Sequence, residues 1–327
     1  MAKALITTVP FGVHNRLPLD LLEKAGIEYL INPYKKKLTE DQLAELVGDF
    51  DFLIAGTELI TEKLLSKASK LKLISRVGIG LDSIDLDAVK KSGIKISYTP
   101  EAPAPAVAEL TLGMILSLLR SVHISNHQMH LGVWERIFGR RLGDITIGII
   151  GVGRIGTHLL RCMSGFGKIH ILVNDIVPIN QLIQEFNIQW VTKEQIYKKA
   201  DVISLHLPLT PLTKNMICLD QLLQMKKDAF IINTSRGGII NEDDLYKVMS
   251  EGHLGGAAID VFESEPYAGK LLEIDRCLLT AHMGSMSIDC RSQMEIQATK
   301  EVVRFLSGKP LESEVPQLEY EIQGKGF

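Results

Sequence analysis

Gly151-Val152-Gly153-Arg154-Ile155-Gly156 follows an apolar, β-branched run at 145–150 and opens an amphipathic stretch over 155–163. That spacing is the strand–turn–helix that cradles a pyrophosphate. Gly151 allows the tight turn, Gly153 lets the backbone approach the phosphates, and Gly156 brings helix against strand. The N–H groups opening the helix, at Arg154 and Ile155, are then donors to the anion. Asp175 stands nineteen positions beyond the last glycine, where the next strand-like run ends. A carboxylate there accepts from ribose hydroxyls and repels a 2′-phosphate, and its neighbours Ile176 and Val177 bring no cation to offset that repulsion. The pattern points to NAD, in preference to NADP.

Three further polar stretches each close a strand-like run, which is where open parallel sheets hold their ligands. They carry Arg236, Glu265 and His282. An Arg, a carboxylate and a His beside a nicotinamide form a coherent chemical set. Arg236 can hold a substrate carboxylate and polarise a 2-oxo group. His282 can take a hydroxyl proton as a hydride leaves carbon, and return it in the reverse direction. Glu265 can pair with His282, orient the ring and favour its protonated form.

The elements that position these residues are legible as an alternation of short apolar runs and amphipathic stretches. Strands are expected at 4–8, 52–55, 71–75 and 94–97, with helices at 17–25, 61–70 and 86–91. A proline-rich turn at 99–105 opens a long helix and marks a domain crossing. A second series follows, with strands at 145–150, 169–175, 202–205, 230–233, 257–261 and 277–280 and helices at 180–186 and 242–250. A last helix at 287–306, apolar at helical spacing, is expected to return to the first domain, and the polar tail after Pro310 to trail over the surface. Such alternation argues for an α/β fold with parallel sheets. A substrate domain of 1–100, completed by 288–327, would then flank a Rossmann-type dinucleotide domain of 101–287.

Composition bounds the partners. The 327 residues are 46% hydrophobic and 23% charged, with a formal net charge of −3 and a pI near 6.3. No basic footprint for nucleic acid or an anionic membrane is visible. Cys162, Cys218, Cys277 and Cys290 lie far apart without metal-ligand spacing, so no metal is expected and reduced thiols are. The apolar run at 102–119 is broken by Pro103, Pro105, Glu109, Thr111 and Ser117 and reads as a buried helix, not a span. The chain enters its first strand without signal-peptide architecture, and a cytoplasmic protein is expected.

Several motifs, in one order, resemble the D-isomer-specific NAD-dependent 2-hydroxyacid dehydrogenase family, nearest in texture to its phosphoglycerate dehydrogenases. They are Ser75-Arg76-Val77-Gly78-Ile79-Gly80-Leu81-Asp82, Ala106-Val107-Ala108-Glu109-Leu110-Thr111, Gly132-Val133-Trp134-Glu135-Arg136, the glycine fingerprint, His206-Leu207-Pro208-Leu209-Thr210 and the three stretches above. The resemblance covers about residues 50–310. It implies a Rossmann domain beside a flavodoxin-like domain, and it places the family's catalytic Arg, Glu and His on Arg236, Glu265 and His282. It implies a substrate loop at Arg76, Val77, Gly78 and Ile79, with Arg136 reaching a partner subunit's substrate. Nicotinamide contacts fall on Thr234, Asp260, Gly284 and Ser285, with Leu207 and Pro208 lining the cofactor. A homodimer, joined through the helix at 104–122 and the segment after it, is also implied. No Arg stands at Ala55-Gly56-Thr57, where some phosphoglycerate dehydrogenases carry one for the phosphate. Two other readings fit this fold: an NAD(H)-sensing scaffold like the C-terminal binding protein co-repressors, and a phosphite-type dehydrogenase.

Overall fold

The computed structural model describes residues 1–324, and the chain divides into two compact units. One holds Met1–Pro103 with the segment from Met286 onward, the other Ala104–Ser285.

The first unit is built on five parallel strands: β1 (Lys3–Ile6), β2 (Glu28–Ile31), β3 (Phe52–Ala55), β4 (Leu73–Arg76) and β5 (Lys95–Ser97). Their spatial order is β2-β1-β3-β4-β5, the flavodoxin-like arrangement, and every pairing is parallel. The inner strands β3 and β4 are buried along their whole length, and β3 reads as an unbroken apolar run for that reason. The helix Ile288–Leu306 closes one face. Its N-cap Ser287 accepts from the Cys290 N–H, and its Met294, Ala298 and Val302 are buried. Phe305 meets Phe52 edge to face, and the Ser75 hydroxyl of β4 donates to the Ala298 carbonyl at 2.8 Å.

The tail differs from the expectation of a trailing segment. Glu314 forms an antiparallel bridge to Ser97, Val315 is buried against the core, and Gln317–Gly324 is helical. The Gln323 side chain donates to the Ile84 carbonyl at 2.8 Å and accepts from the Leu86 N–H. Polar composition hid this because the anchoring residues, Val315, Tyr320 and Gln323 among them, are too sparse to register as a periodic pattern.

The second unit carries seven parallel strands: β6 (Thr146–Ile150), β7 (His170–Asn174), β8 (Ile188–Trp190), β9 (Val202–Leu205), β10 (Phe230–Asn233), β11 (Gly256–Ile259) and β12 (Cys277–Leu279). Their order is β12-β11-β10-β9-β6-β7-β8, so the chain runs outward from β6 to one edge and then from β9 to the other. This is the doubly wound Rossmann order extended by one strand. The apolar run near residue 102 forms the helix Pro103–Leu119, whose Ala104, Ala108, Thr111, Ile115 and Leu118 are buried. Among the described residues no single helix is long and apolar enough to cross a membrane.

Candidate functional site

The C-terminal ends of β6 and β9 flank the reversal of strand order in the second sheet. Gly151 leaves β6 at φ +96°, and a Cβ there would stand 2.2 Å from the His206 carbonyl. Only glycine fits that turn. Gly156 approaches equally closely, since its Cβ would lie 2.2 Å from the Gly151 carbonyl. Gly153 is different: a Cβ there meets nothing within 4 Å, and no side chain caps the helix Arg154–Met163 that it opens. The first and third glycines thus serve packing, and the second leaves the helix N-terminus open to an incoming anion. Asp175, just past β7, accepts the Val152 N–H at 2.7 Å and the Ile176 N–H at 2.7 Å. Its carboxylate therefore holds the glycine turn in shape while remaining partly exposed.

Next to this turn, His206 follows β9 with Nε2 at 2.9 Å from the Ser204 hydroxyl and Nδ1 out of water without a partner. Burial brings its pKa down from 6.5 to about 4. The unfolded chain therefore binds a proton that the folded ring refuses. This contribution to stability is complete above the unfolded pKa, and it is lost as pH falls from about 6.5 toward 4. The gap corresponds to at most about 3 kcal/mol. Urea midpoints are expected to drop over that window, and the drop to flatten in His206→Gln; an unchanged slope in the variant would assign the acid sensitivity to another group.

Arg236 sits in the loop after β10. Asn233 shapes that loop, its side chain donating to the Arg236 carbonyl at 2.8 Å while accepting from the N–H and hydroxyl of Ser235. The sequence signal for this role is an Asn at a strand end with a Ser two residues on. The Arg236 guanidinium donates to the Ser235 carbonyl at 2.7 Å. Gly237 lies so close to the Phe262–Glu263 peptide that a Cβ would stand 2.0 Å from it, which brings the Arg236 loop against the loop that carries Glu265. Phe262 and Tyr267 stack at 4.1 Å across the base of that second loop, and Glu265 Oε1 accepts the Phe262 N–H at 3.1 Å.

His282 meets Glu265 as the pairing argument expects, with Nδ1 2.9 Å from Oε2 and 3.1 Å from Oε1. The backbone beneath it was not legible in the sequence. His282 is held at φ +52°, left-handed for a β-carbon-bearing residue, at a cost of order 1 kcal/mol. Asp260 enforces that conformation. Fully buried after β11, it accepts from the Thr280 hydroxyl at 2.5 Å, the Met283 N–H at 2.7 Å and the Gly284 N–H at 2.9 Å. Its own carbonyl accepts the His282 N–H at 2.8 Å. Thr234 is buried with its hydroxyl 2.8 Å from that of Thr111 on the helix Pro103–Leu119. Ser285 and Leu207 are half-buried and Pro208 is exposed.

In the first unit the loop 76–80, expected to hold a substrate anion through Arg76 and the amides of Val77, Gly78 and Ile79, turns several of its donors onto the protein's own groups. Arg76 is only 7% exposed, and its guanidinium wraps its own loop, donating to the Val77 and Gly80 carbonyls. The Val77 N–H donates to Ala55 and the Gly78 N–H to the Thr99 hydroxyl. A residue closing a strand satisfies its neighbours' backbone first. Among the described residues the N–H groups of Ile79 and Gly80 meet no acceptor, and they are the donors this loop still offers. Arg136, in the second unit, is exposed. Among the described residues no group of three or more His, Cys, Asp or Glu could hold a metal ion, and all four cysteines are free.

Residues 112–284 match the family model for the NAD binding domain of D-isomer specific 2-hydroxyacid dehydrogenases. The chain is 35% identical over 296 residues to the D-3-phosphoglycerate dehydrogenase of Methanocaldococcus jannaschii, an alignment covering 88% of this chain and 56% of that protein. It thus spans little more than half the length of that relative. To the hydroxypyruvate reductase of Thermotoga maritima it is 32% identical over 308 residues, covering 90% of this chain and 98% of that one. The D-lactate dehydrogenase of Aquifex aeolicus, solved with NAD and lactic acid, superposes with a TM-score of 0.83 at 28% identity, covering 95% of this chain and 98% of the other.

Proposed function

Because the chain belongs to the D-isomer specific 2-hydroxyacid dehydrogenase family, we propose that it transfers a hydride between C2 of a small D-2-hydroxy acid and the nicotinamide of NAD. The observation that carries this reading is the His282–Glu265 pair, set on a strained turn in the unit that also carries the glycine-lined helix N-terminus. The chain's residues fit the cofactor. The open side of Gly153 and the N–H groups of Arg154 and Ile155 would receive its pyrophosphate, and Asp175 its adenosine ribose. Thr234, Asp260, Gly284, Ser285, Leu207 and Pro208 would border the nicotinamide. NAD, when bound, supplies the acceptor for the C2 hydrogen.

The rest is the work of side chains. Glu265 fixes the imidazole through Nδ1, so Nε2 is the nitrogen that takes the hydroxyl proton during oxidation and returns it during reduction. Arg236 holds the substrate carboxylate and draws charge toward the C2 oxygen. Asp175 favours NAD over NADP, because a 2′-phosphate would meet its carboxylate at the glycine turn. A homodimer completes the reading. Val122, Met129, Leu131, Val133, Trp134 and Phe138 are all exposed, Trp134 at 78%, which is more apolar surface than a lone chain keeps in water. Sedimentation at twice the chain mass is the check.

The test of the reaction is spectrophotometric: NADH or NADPH oxidation against glyoxylate, pyruvate, hydroxypyruvate, 3-phosphohydroxypyruvate and 2-oxoisocaproate. An NADH-dependent rate on one or more acids is expected. Tight NADH binding with no turnover on any of them would replace the enzyme by a cofactor-sensing scaffold.

A further inference from the structure

The loop 262–268 carries the carboxylate that meets His282, and among the described residues none of its N–H or C=O groups joins a backbone–backbone hydrogen bond. Glu263, Ser264, Glu265 and Pro266 are exposed. With no strand or helix to fix it, such a segment is placed by side chains. Glu265 Oε1 accepts the Phe262 N–H, Phe262 stacks on Tyr267, and the Tyr267 hydroxyl accepts the Leu271 N–H at 3.1 Å. These contacts shape the loop and tie its far end.

The near end is held from another element. Glu242 Oε1 accepts the Glu263 N–H at 2.7 Å, two residues before Glu265. Glu242 opens the helix Glu242–Ser250, a fixed body: Asn241 caps it by accepting the Asp244 N–H at 3.0 Å, and Leu245, Val248 and Met249 are fully buried. Its two acidic neighbours look elsewhere, Asp243 to Lys270 at 3.3 Å and Asp244 to the Leu219 N–H at 2.9 Å. Of the three acids that open this helix, Glu242 is the one turned to the loop of Glu265. Burial raises its carboxyl above the ordinary carboxylate value, and Glu263, Asp243 and Glu265 add to the rise, while the Glu263 N–H opposes it. A carboxylate half-buried among like charges is useful there for the oxygen it offers. Glu242 also stands six positions after Arg236, so the segment that carries the substrate clamp ends in the residue that grips the neighbouring loop.

We propose that Glu242 is a positioning residue for the proton transfer: its grip on the Glu263 N–H sets the loop 262–266 where Glu265 meets His282, and it acts through reach, not charge. This deepens the dehydrogenase reading above and rests on it.

The experiment measures kcat and KM on the best 2-oxo acid, and NADH affinity, in the wild type, Glu242→Ala, Glu242→Gln and Glu242→Asp. Glu242→Ala is expected to lower kcat about tenfold and leave NADH affinity within about twofold, since small misplacements of a proton-transfer pair are costly. Glu242→Gln keeps an accepting oxygen at the same reach and should restore kcat. Glu242→Asp keeps the charge but stops one methylene short, and should lose kcat as Glu242→Ala does. In a Glu265→Ala background, Glu242→Ala should cost nothing further, whereas a merely structural role would cost the same factor again. Unchanged kcat in folded Glu242→Ala, a Gln variant as slow as the Ala variant, or a repeated loss in the Glu265→Ala background overturns the proposal. If Glu242→Ala does not fold, the contrast between Gln and Asp decides.

A second readout needs no turnover. The proton NMR signal of the His282 Nδ1–H, held on Glu265, should persist in Glu242→Gln and be lost in Glu242→Asp and Glu242→Ala. A signal unchanged in all three overturns the role of Glu242. Should the wild type reduce none of the acids, the dehydrogenase reading falls and this signal alone decides where Glu242 acts.

Discussion

Replacing His282 by Asn is expected to lower kcat for 2-oxo acid reduction by about 10²- to 10⁴-fold while NADH binding persists. Asn is the informative choice because of the backbone. His282 sits at φ +52°, a region that Asn tolerates far better than alanine or a branched residue does. Its side-chain amide can still donate toward Glu265, so the turn and its neighbours keep their reason to fold. What disappears is a ring nitrogen able to exchange a proton. The expected loss corresponds to about 3 to 5 kcal/mol of transition-state stabilisation. Steady-state kinetics on the best acid from the panel, with NADH affinity followed by fluorescence, reads the two effects separately. Near-wild-type turnover would remove His282 from the mechanism.

The second large effect is expected at Asp260, and it is one of stability. Asp260→Ala removes the acceptor of the Thr280 hydroxyl and of the Met283 and Gly284 N–H groups, the last of these buried and the other two partly so. Each donor left without a partner costs about 1 to 3 kcal/mol, so a loss of about 3 to 5 kcal/mol is expected. At this size of unit that moves the thermal midpoint down by about 10 °C. Asp260→Asn keeps the shape and one accepting oxygen and should lose less. A shift under about 2 °C in Asp260→Ala would show that the turn carrying His282 holds itself.

The central strands are readable from the sequence because they are buried on both faces and so appear as continuous Val, Ile and Leu. Two edge strands are not. Glu28-Tyr29-Leu30-Ile31 alternates between exposed and half-buried positions, and Ile188-Gln189-Trp190 is too short to show a period. Both owe their conformation to a neighbour's backbone: β2 pairs with β1, β8 with β7. The site divides in the same way. Residue types and order announce Arg236, Glu265 and His282, since the chemistry needs those groups at strand ends. The positive φ of His282 and the three hydrogen bonds to Asp260 leave no mark in the sequence, for an Asp after a strand has many uses. Arg76 is legible as a cation at the close of β4, but its hydrogen bonds to the Val77 and Gly80 carbonyls leave no mark in the sequence.

The helix Ile288–Leu306 lies on β4 through a hydrogen bond from Ser75 to Ala298, a pairing across 223 residues of chain. That distance sets an order of events during synthesis. The unit Ala104–Ser285 contains all its own strands, and it can condense while later residues are still being made. The first five strands emerge earlier, yet they must wait with one face uncovered until that helix is available. Closing so long a loop is slow, and an uncovered parallel sheet is the kind of surface on which nascent chains associate. The half of the protein translated first is therefore the half completed last, and chaperone dependence should fall on β1–β5, not on the cofactor fold.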